Sequence, residues 1–529
     1  MHDYVIVGAG SAGCVLAARL SEDPAVSVLL LEAGPPDNSK EIHIPAAFTK
    51  LFNGERDWAF HTVPQRMLGG RQLFWPRGKT LGGSSSLNAQ MWVRGGPADY
   101  DAWEAAGNPG WGWSGVSRYF DRAEGRERDG SVGPLWVSEL RDPNPLTRAF
   151  VAAAEQAGHQ RNPNVDRDGC EGVDFTQVTQ RKGQRHSSAD AYLKPARRRH
   201  NLDVMTSVHA LGVLIGEGRA RGVAYRRGDT EDEAVAGREV IVAGGAIGSP
   251  QLLLVSGIGP ASELEEVGVR PVVDLPGVGR NLHDHPAVAV AWSTPRPVSL
   301  AAAETPGQLA RYLVARRGML TSNLAEAFAM VETRPDLAGP DLELLFGPVP
   351  FIDHGLAGPP GHGFTVAPIC LQPRSRGSIR LASADPLGPP LIDPNYFVDP
   401  ADLEVMVHGV GLARRIAEQP ALAAYRGEPI EPAPGEAEDH DAIAEFVRRE
   451  VETLYHPVGT CRMGTDDEAV VDPELRVRGI GGLRVVDASV IPVINRGHTN
   501  APTVMLAEKA ADMIIRAAVS GMKRTAAGG

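Results

Sequence analysis

Short apolar runs that end in glycine, followed by segments of helical period, set the pattern of this chain of 529 residues. The first run, Tyr4-Val5-Ile6-Val7, is continuous, as in a strand buried on both faces. It leads into Gly8-x-Gly10-x-x-Gly13, and Cys14 to Leu20 then carry apolar residues at helical spacing. A second run, Val26-Ser27-Val28-Leu29-Leu30-Leu31, ends at Glu32. The pattern predicts strand, tight turn, helix and strand, a complete βαβ unit. One glycine makes the turn, one admits backbone to a pyrophosphate, and one lets helix pack on strand. Glu32, about twenty residues past the turn, is placed to accept hydrogen bonds from a ribose. A dinucleotide site is the reading; a tight turn made for packing competes with it, and the fingerprint does not distinguish NAD from FAD.

Further along, Leu202–Met205, Leu211–Ile215 and Ala220–Tyr225 predict a strand pair, with Val208 between the first two segments. Glu239 to Ala246 repeats a buried strand running into glycines, through Ala243 and Gly244, and Ser249-Pro250 predicts the start of a helix. The sheet is therefore expected to be assembled from distant pieces. Ser114 is placed to cap a helix containing Val116, Tyr119 and Phe120. From 296 to about 450 the alternating segments Phe364–Ile369 and Gly377–Leu381 predict a largely antiparallel sheet that covers substrate. Glycine and proline gather in loops such as 33–37 and 357–361, as in an enzyme with long connections over a cofactor.

Composition narrows the function classes. A hydrophobic fraction of 43% with 22% charged residues is that of a soluble globular protein, and a net charge of −12 argues against nucleic acid or an anionic membrane surface as partner. The fingerprint starts at residue 3 and no apolar run approaches about 18 residues, so neither a leader nor a membrane span is expected, and a cytoplasmic location is. Cys14, Cys170, Cys370 and Cys461 have no metal-ligand spacing, which predicts reduced thiols and no metal site.

Two stretches carry candidate chemistry. Trp75-Pro76-Arg77-Gly78-Lys79-Thr80-Leu81-Gly82-Gly83-Ser84-Ser85-Ser86-Leu87-Asn88, followed by Met91-Trp92, offers amides and hydroxyls to a phosphate or a flat ring edge. A flexible loop is the competing reading. Near the C-terminus Tyr455-His456-Pro457-Val458-Gly459 puts a histidine in a rigid loop, Leu483 to Asp487 is a strand ending in a carboxylate, and Gly497-His498-Thr499-Asn500-Ala501-Pro502-Thr503 opens a helix. Alone, His456 would read as a satisfied loop histidine.

In order and approximate spacing, the fingerprint with Glu32, the Gly78 to Asn88 stretch, the Gly245 to Gly259 segment and the His456 and Asn500 stretches resemble the glucose-methanol-choline (GMC) family of FAD-dependent oxidoreductases. The resemblance spans nearly the whole chain and implies an α/β fold, α+β overall. A Rossmann-like FAD-binding domain (1–150, 190–295 and 450–520) is then interleaved with an antiparallel-sheet substrate domain (151–189 and 296–449), and 521–529 is a flexible tail. It implies FAD as cofactor. Gly8, Gly10, Ser11, Ala12 and Gly13 would hold the pyrophosphate, Glu32 and Ala33 the ribose, and Val208 the adenine, with Ala243 and Gly244 nearby. Arg77, Leu81, Gly82, Gly83, Ser85, Asn88, Ala89 and Met91 would run along the flavin, and Asp487, Ala488, Asn500, Pro502 and Thr503 would meet its other edge. Leu87 stands where some members attach FAD through a histidine, so non-covalent FAD is expected.

The resemblance also implies His456 as catalytic base with Asn500 as its partner, and leaves His498 a structural residue. An imidazole of ordinary pKa, about 6.5, is a usable proton acceptor at neutral pH. Tyr455 resembles the aromatic residue at that place in aryl-alcohol, furfuryl-alcohol and pyridoxine oxidases, which points to a flat primary alcohol as small-molecule substrate. An oxidase is the leading expectation, with molecular oxygen or another electron acceptor as the partner. Choline would need an aromatic cage with an anion, for which Trp92 and Glu326 are the candidates. The alternatives left by sequence are a dehydrogenase with a quinone or dye acceptor, a hydroxynitrile lyase and a non-catalytic flavoprotein. Oligomeric state is left open.

Overall fold

Strand β1 (His2–Val7) lies inside a seven-stranded sheet because Val5 and Ile6 are apolar on both faces and fully buried. The structure is a computed structural model that describes residues 1–126, 130–356, 358 and 361–527. Helix α1 (Ser11–Leu20) follows the glycine turn and β2 (Val28–Leu31) returns parallel to β1, Val5 opposite Leu29. Beyond β2 lies β3 (Leu202–Met205), also parallel, with Leu202 opposite Val28. On the other side of β1 comes the end of a long strand. Strands β4 (His209–Gly216), β5 (Arg219–Arg227) and β6 (Thr230–Val242) form an antiparallel meander, and the last residues of β6 run parallel to β1. After β6 comes helix α2 (Gly245–Val255), and β7 (Leu483–Val485) pairs parallel with Val240 to Val242. The parallel core is thus β3-β2-β1-β6-β7, closed by helix α3 (Asn500–Ala527), which packs on α1.

Side chains fix that helix pair. Arg19 of α1 donates through two nitrogens, at 2.9 and 2.8 Å, to the buried carboxylate of Glu508 on α3, and the Tyr192 hydroxyl donates to the same carboxylate at 2.8 Å. At the other end of α1 the constraint is steric. A Cβ on Gly13 would stand 1.9 Å from the carbonyl oxygen of Gly8, and Gly8 itself needs φ +99°.

The second sheet has eight strands, all antiparallel, in the order Pro429–Glu431, Val290–Ser293, Gly363–Cys370, Leu342–Gly347, Ala327–Val331, Gly172–Phe175, with Pro286–Ala287 and Glu452–Thr453 attached beside Gly363–Cys370. Helices Pro145–Gln156 and Pro400–Ala417 pack against it, and Phe150 stacks on Phe346 with ring centres 4.6 Å apart. The expected antiparallel sheet is present, and the fold is mixed α/β.

The structure departs from several sequence expectations. Leu202–Met205 does not pair with the segment after it; its apolar residues extend the parallel sheet beside β2, and the hairpin is β4 with β5. Helix α2 begins at Gly245, so Pro250 lies inside it. Proline has no N–H for the carbonyl of Ala246 four residues back, and the Thr460 hydroxyl donates to that oxygen at 2.6 Å instead. Pro286–Ala287, Val290–Ser293 and Glu452–Thr453, expected with the nucleotide-binding part, belong to the second sheet, because pairs such as Val290 with Val366 complete its ladder. Helix α3 runs on to Ala527 where a tail was expected from 521, since no proline after Pro502 interrupts it. Gly528 and Gly529 of that tail, like Ala357, Pro359 and Pro360 of the 357–361 loop, lie outside the described residues. Among the described residues no helix is long and apolar enough to cross a membrane.

Helix propensity alone would favour Gly13→Ala by about 1 kcal/mol. The close approach to Gly8 predicts the opposite, a loss of about 1–3 kcal/mol in urea unfolding. Equal or higher stability of the variant would contradict this packing.

Candidate active site

Parallel strands deliver their carboxyl ends to one place, and there a cavity of about 680 Å³ opens. The glycine turn after β1, Glu32 after β2, Val208 after β3, Ala243 and Gly244 after β6, and Asp487 and Ala488 after β7 all line it, with Thr499, Asn500 and Thr503 from the start of α3. Gly10 caps α1 without a side chain, and a Cβ there would meet nothing within 4 Å, so the positive end of the helix faces open space. The Glu32 carboxylate accepts from the amides of Ala9 and Gly34, both at 2.8 Å. Burial raises its pKa to about 7 against those amides and Lys79. An uncapped helix end, a bare glycine and a carboxylate held at the end of the second strand together fit a dinucleotide.

Of the residues predicted to hold the cofactor, Gly8, Gly10, Ser11, Ala12, Glu32, Ala33, Arg77, Gly83, Asn88, Ala89, Met91, Val208, Ala243, Gly244, Asp487, Ala488, Asn500 and Thr503 line the cavity. Gly13, Leu81, Gly82, Ser85 and Pro502 are not on its wall. Gly13 is consumed by packing against Gly8, and Leu81 is in the hydrophobic core. The Ser85 hydroxyl donates to Gly82 at 2.6 Å and accepts from the Ser188 amide at 3.1 Å. Gly82 donates its own N–H to Ala9 at 2.7 Å, which ties the glycine-serine stretch to the fingerprint. The Arg77 guanidinium is spent on the carbonyls of Pro76 and Tyr455, each at 2.6 Å, so it braces the loop of His456.

At the other end of the cavity, one carboxylate organises that loop. Asp284 accepts from the His456 amide at 2.7 Å, from the Thr453 hydroxyl at 2.6 Å and from the Tyr396 hydroxyl. Burial raises its pKa to about 6, while these donors and Arg77 pull the other way. Tyr455 sits at φ +68°, a conformation an aromatic residue rarely adopts, and is held there by Thr453 on its amide and Arg77 on its carbonyl. Its ring lines the cavity near Phe52, and its hydroxyl meets His354 Nδ1 at 2.7 Å.

Three imidazoles meet here. The rings of His456 and His498 are 4.8 Å apart and nearly perpendicular, and both line the cavity. His456 Nδ1 is 3.0 Å from Nδ1 of His285, whose Nε2 donates to the Leu371 carbonyl at 3.0 Å. His498 Nε2 donates to the fully buried Glu343 at 3.1 Å. Burial, then His498, His285 and Arg77, hold His456 well below the ordinary histidine range, so its ring is neutral at pH 7.

Asn500, the expected partner of His456, is not the side chain that this arrangement sets beside it. Asn500 Oδ1 accepts from the Ser11 hydroxyl at 2.8 Å, at the glycine-turn end, whereas the ring beside His456 is His498, read from sequence as structural. Asn500 begins α3 and turns toward α1; His498 lies two residues before the helix and reaches across to the loop. Asp284, His285 and Glu343 went unread; the density of polar residues in Asn281-Leu282-His283-Asp284-His285-Pro286 was the available signal for the first two. The choline candidates do not assemble. Glu326 is buried under Asn144, Thr147 and Ser322, and the Trp92 indole donates to Glu124, so neither lines the cavity.

Residues 2–287 and 373–507 match the family models described as GMC oxidoreductase. An alcohol dehydrogenase [acceptor] of Pseudomonas putida is 46% identical over 98% of this chain and 96% of its own. Among solved structures, pyridoxine 4-oxidase from Mesorbium loti superposes with a TM-score of 0.88 at 32% identity, covering 97% of this chain and 99% of its own. Formate oxidase of Aspergillus oryzae, in a structure concerned with FAD modification, gives 0.91 at 29% identity, covering 97% and 98%.

Because the folded pKa of Asp284 is raised, its contribution to stability is complete below the ordinary carboxylate value of about 4 and is lost as pH rises through about 6. The stability of the wild type relative to Asp284→Asn is therefore expected to fall between those pH values in urea melts. A relative stability that rises over that interval would contradict the assignment.

Proposed function

Because the chain belongs to the GMC oxidoreductase family and is 46% identical to an alcohol dehydrogenase [acceptor], we propose that it oxidises an uncharged primary alcohol, aromatic or furanic, to the aldehyde. The observation that carries this reading is the pair His456 and His498, 4.8 Å apart in a cavity whose other end is the uncapped helix of the glycine fingerprint. GMC oxidoreductases bind FAD, which when bound supplies the hydride acceptor. The amides of Gly10 to Ala12 at the α1 N-terminus would hold its pyrophosphate, Glu32 a ribose, and Gly83 with Asn88 to Met91 the ring system. Leu87, a cavity-wall residue without a nucleophile, supports non-covalent attachment.

The remaining chemistry belongs to the chain's own groups. His456, neutral at pH 7, accepts the hydroxyl proton. An alkoxide is too basic for imidazole to generate outright, so proton loss accompanies departure of the α-hydrogen as hydride. His498 takes the place at the substrate oxygen that sequence had given to Asn500. Phe48, Phe52, Met91, Leu324, Leu345, Phe351 and Tyr455 wall the cavity, a surface that excludes water and suits a flat, uncharged substrate. Of the carboxylates that also line it, Glu452 is paired with Arg71 and Glu450 with Arg449, while Asp353 and Glu431 lie on the same wall.

For the electron acceptor, likeness to an oxidase supports oxygen, with hydrogen peroxide as product. The 46%-identical alcohol dehydrogenase [acceptor] favours a second reading in which a quinone or dye takes the electrons. Benzyl, furfuryl, pyridoxine, choline and aliphatic alcohols, each scored for peroxide and for dye reduction, separate the two. Peroxide formed from the aromatic alcohols is expected; dye reduction without peroxide establishes the second reading, and turnover of choline alone overturns the substrate class.

His456→Ala is expected to slow substrate-driven reduction by about 10²–10⁴-fold, the usual span for a general base. His498→Ala is expected to cost about 10²-fold, because the ring that sits beside His456 at the substrate end of the cavity is lost. Asn500→Ala is expected to loosen FAD retention more than it slows the chemical step. The reverse order for His498 and Asn500 in stopped-flow reduction would return the partner role to Asn500.

A further inference from the structure

We propose that His285 is a positioning residue which fixes the proton of His456 on Nδ1 and thereby presents Nε2, as a free lone pair, to the substrate hydroxyl. The inference rests on His456 being the proton acceptor and names the device that makes it one.

The argument begins at a backbone carbonyl. The Leu371 oxygen can only accept, so the His285 nitrogen 3.0 Å from it, Nε2, carries a hydrogen. His285 is wholly buried, and burial together with His498 lowers its pKa to about 3, against the carbonyls of Leu371 and Asn495. A neutral imidazole with its hydrogen on Nε2 has a lone pair on Nδ1. That Nδ1 lies 3.0 Å from Nδ1 of His456, and of two facing nitrogens one must donate. The donor is His456. With its hydrogen on Nδ1, neutral His456 has only Nε2 left to receive a proton.

The same bond survives the reaction. Once His456 has taken the substrate proton both its nitrogens are donors, and Nδ1–H still points at the lone pair of His285, now as a charge-assisted hydrogen bond. The contact is stronger after proton transfer than before it, the condition for lowering a barrier. Charged or titratable groups facing the pair are His498 with Glu343 behind it, Arg77, and Asp284 below the His456 amide.

Backbone pairing makes the contact rigid. The segment from His283 to Pro286 runs antiparallel to the segment from Thr453 to Val458: His283 and Val458 exchange hydrogen bonds at 3.1 and 3.0 Å, and the Leu454 amide donates to His285 at 2.9 Å. Successive residues of that segment hold two parts of one residue. Asp284 grips the His456 amide, and His285 grips its ring.

The test is the tautomer itself. In holoenzyme labelled with 15N-histidine, long-range 1H–15N spectra, assigned by loss of signals in His456→Ala, are expected to show His456 with Nδ1 protonated and Nε2 bare. In His285→Leu the bare nitrogen is expected to move or average, and reduction by benzyl alcohol to slow by about 10²–10⁴-fold, as when a base is left in the wrong tautomer. His285→Gln, whose amide can both accept from His456 and donate to Leu371, is expected to recover most of the rate. A wild-type spectrum with Nε2 protonated overturns the proposal even if His285→Leu does not fold. So does a slow His285→Leu whose His456 tautomer is unchanged, or a His285→Leu with wild-type rate. If His456→Ala keeps the full rate, the base assignment fails; if that variant is inactive while His285→Leu keeps rate and tautomer, this inference alone fails.

Discussion

A buried carboxylate accepting three hydrogen bonds, Asp284, is the contact on which the chemical end of this molecule depends. Taking it out of water is costly, as its pKa of about 6 reports, and that cost is tolerated because Thr453, Tyr396 and the His456 amide all donate to it. In return the loop carries Tyr455 in a strained left-handed conformation immediately before a proline-locked histidine. Arg77 closes the other side through the Tyr455 carbonyl. Without these bonds the ring of His456 would have no fixed relation to His498, to His285 or to the cavity.

Two kinds of structure meet in the cavity. The parallel sheet contributes strand ends, helix N-termini and bare glycines, all backbone features that suit phosphates. The antiparallel sheet contributes side chains: Glu343 on Leu342–Gly347, which holds His498, and Thr453 on Glu452–Thr453, which bonds to Asp284. Chain order interleaves the two, so each end of the cavity is built from residues far apart in sequence. Asn500, bonded to Ser11 across the start of α1, is a fastener between them at the nucleotide end.

Local features were the legible ones. The fingerprint from Val5 to Gly13, the carboxylate at Glu32 and the strand into Ala243 are each contained in one short segment, and steric needs write themselves into glycine there. The family resemblance extended this to His456. What could not be read was whatever a distant segment decides. His498 and Asn500 are two residues apart, and which of them reaches His456 depends on how α3 docks on α1. His285 and His456 are 171 residues apart, and only the pairing of their segments brings Nδ1 to Nδ1. The membership of Val290–Ser293 in the second sheet was hidden for the same reason, since a continuous apolar strand fits either sheet.

The arrangement at the reacting oxygen is tested most directly by a crystal structure of the FAD-loaded protein with benzyl alcohol bound under anaerobic conditions. The alcohol oxygen is expected within about 3.2 Å of His456 Nε2 and beside the His498 ring, with the aromatic ring against the apolar wall of Phe52, Met91 and Tyr455. An oxygen hydrogen-bonded to Asn500 instead, or one out of reach of His456, would contradict the account.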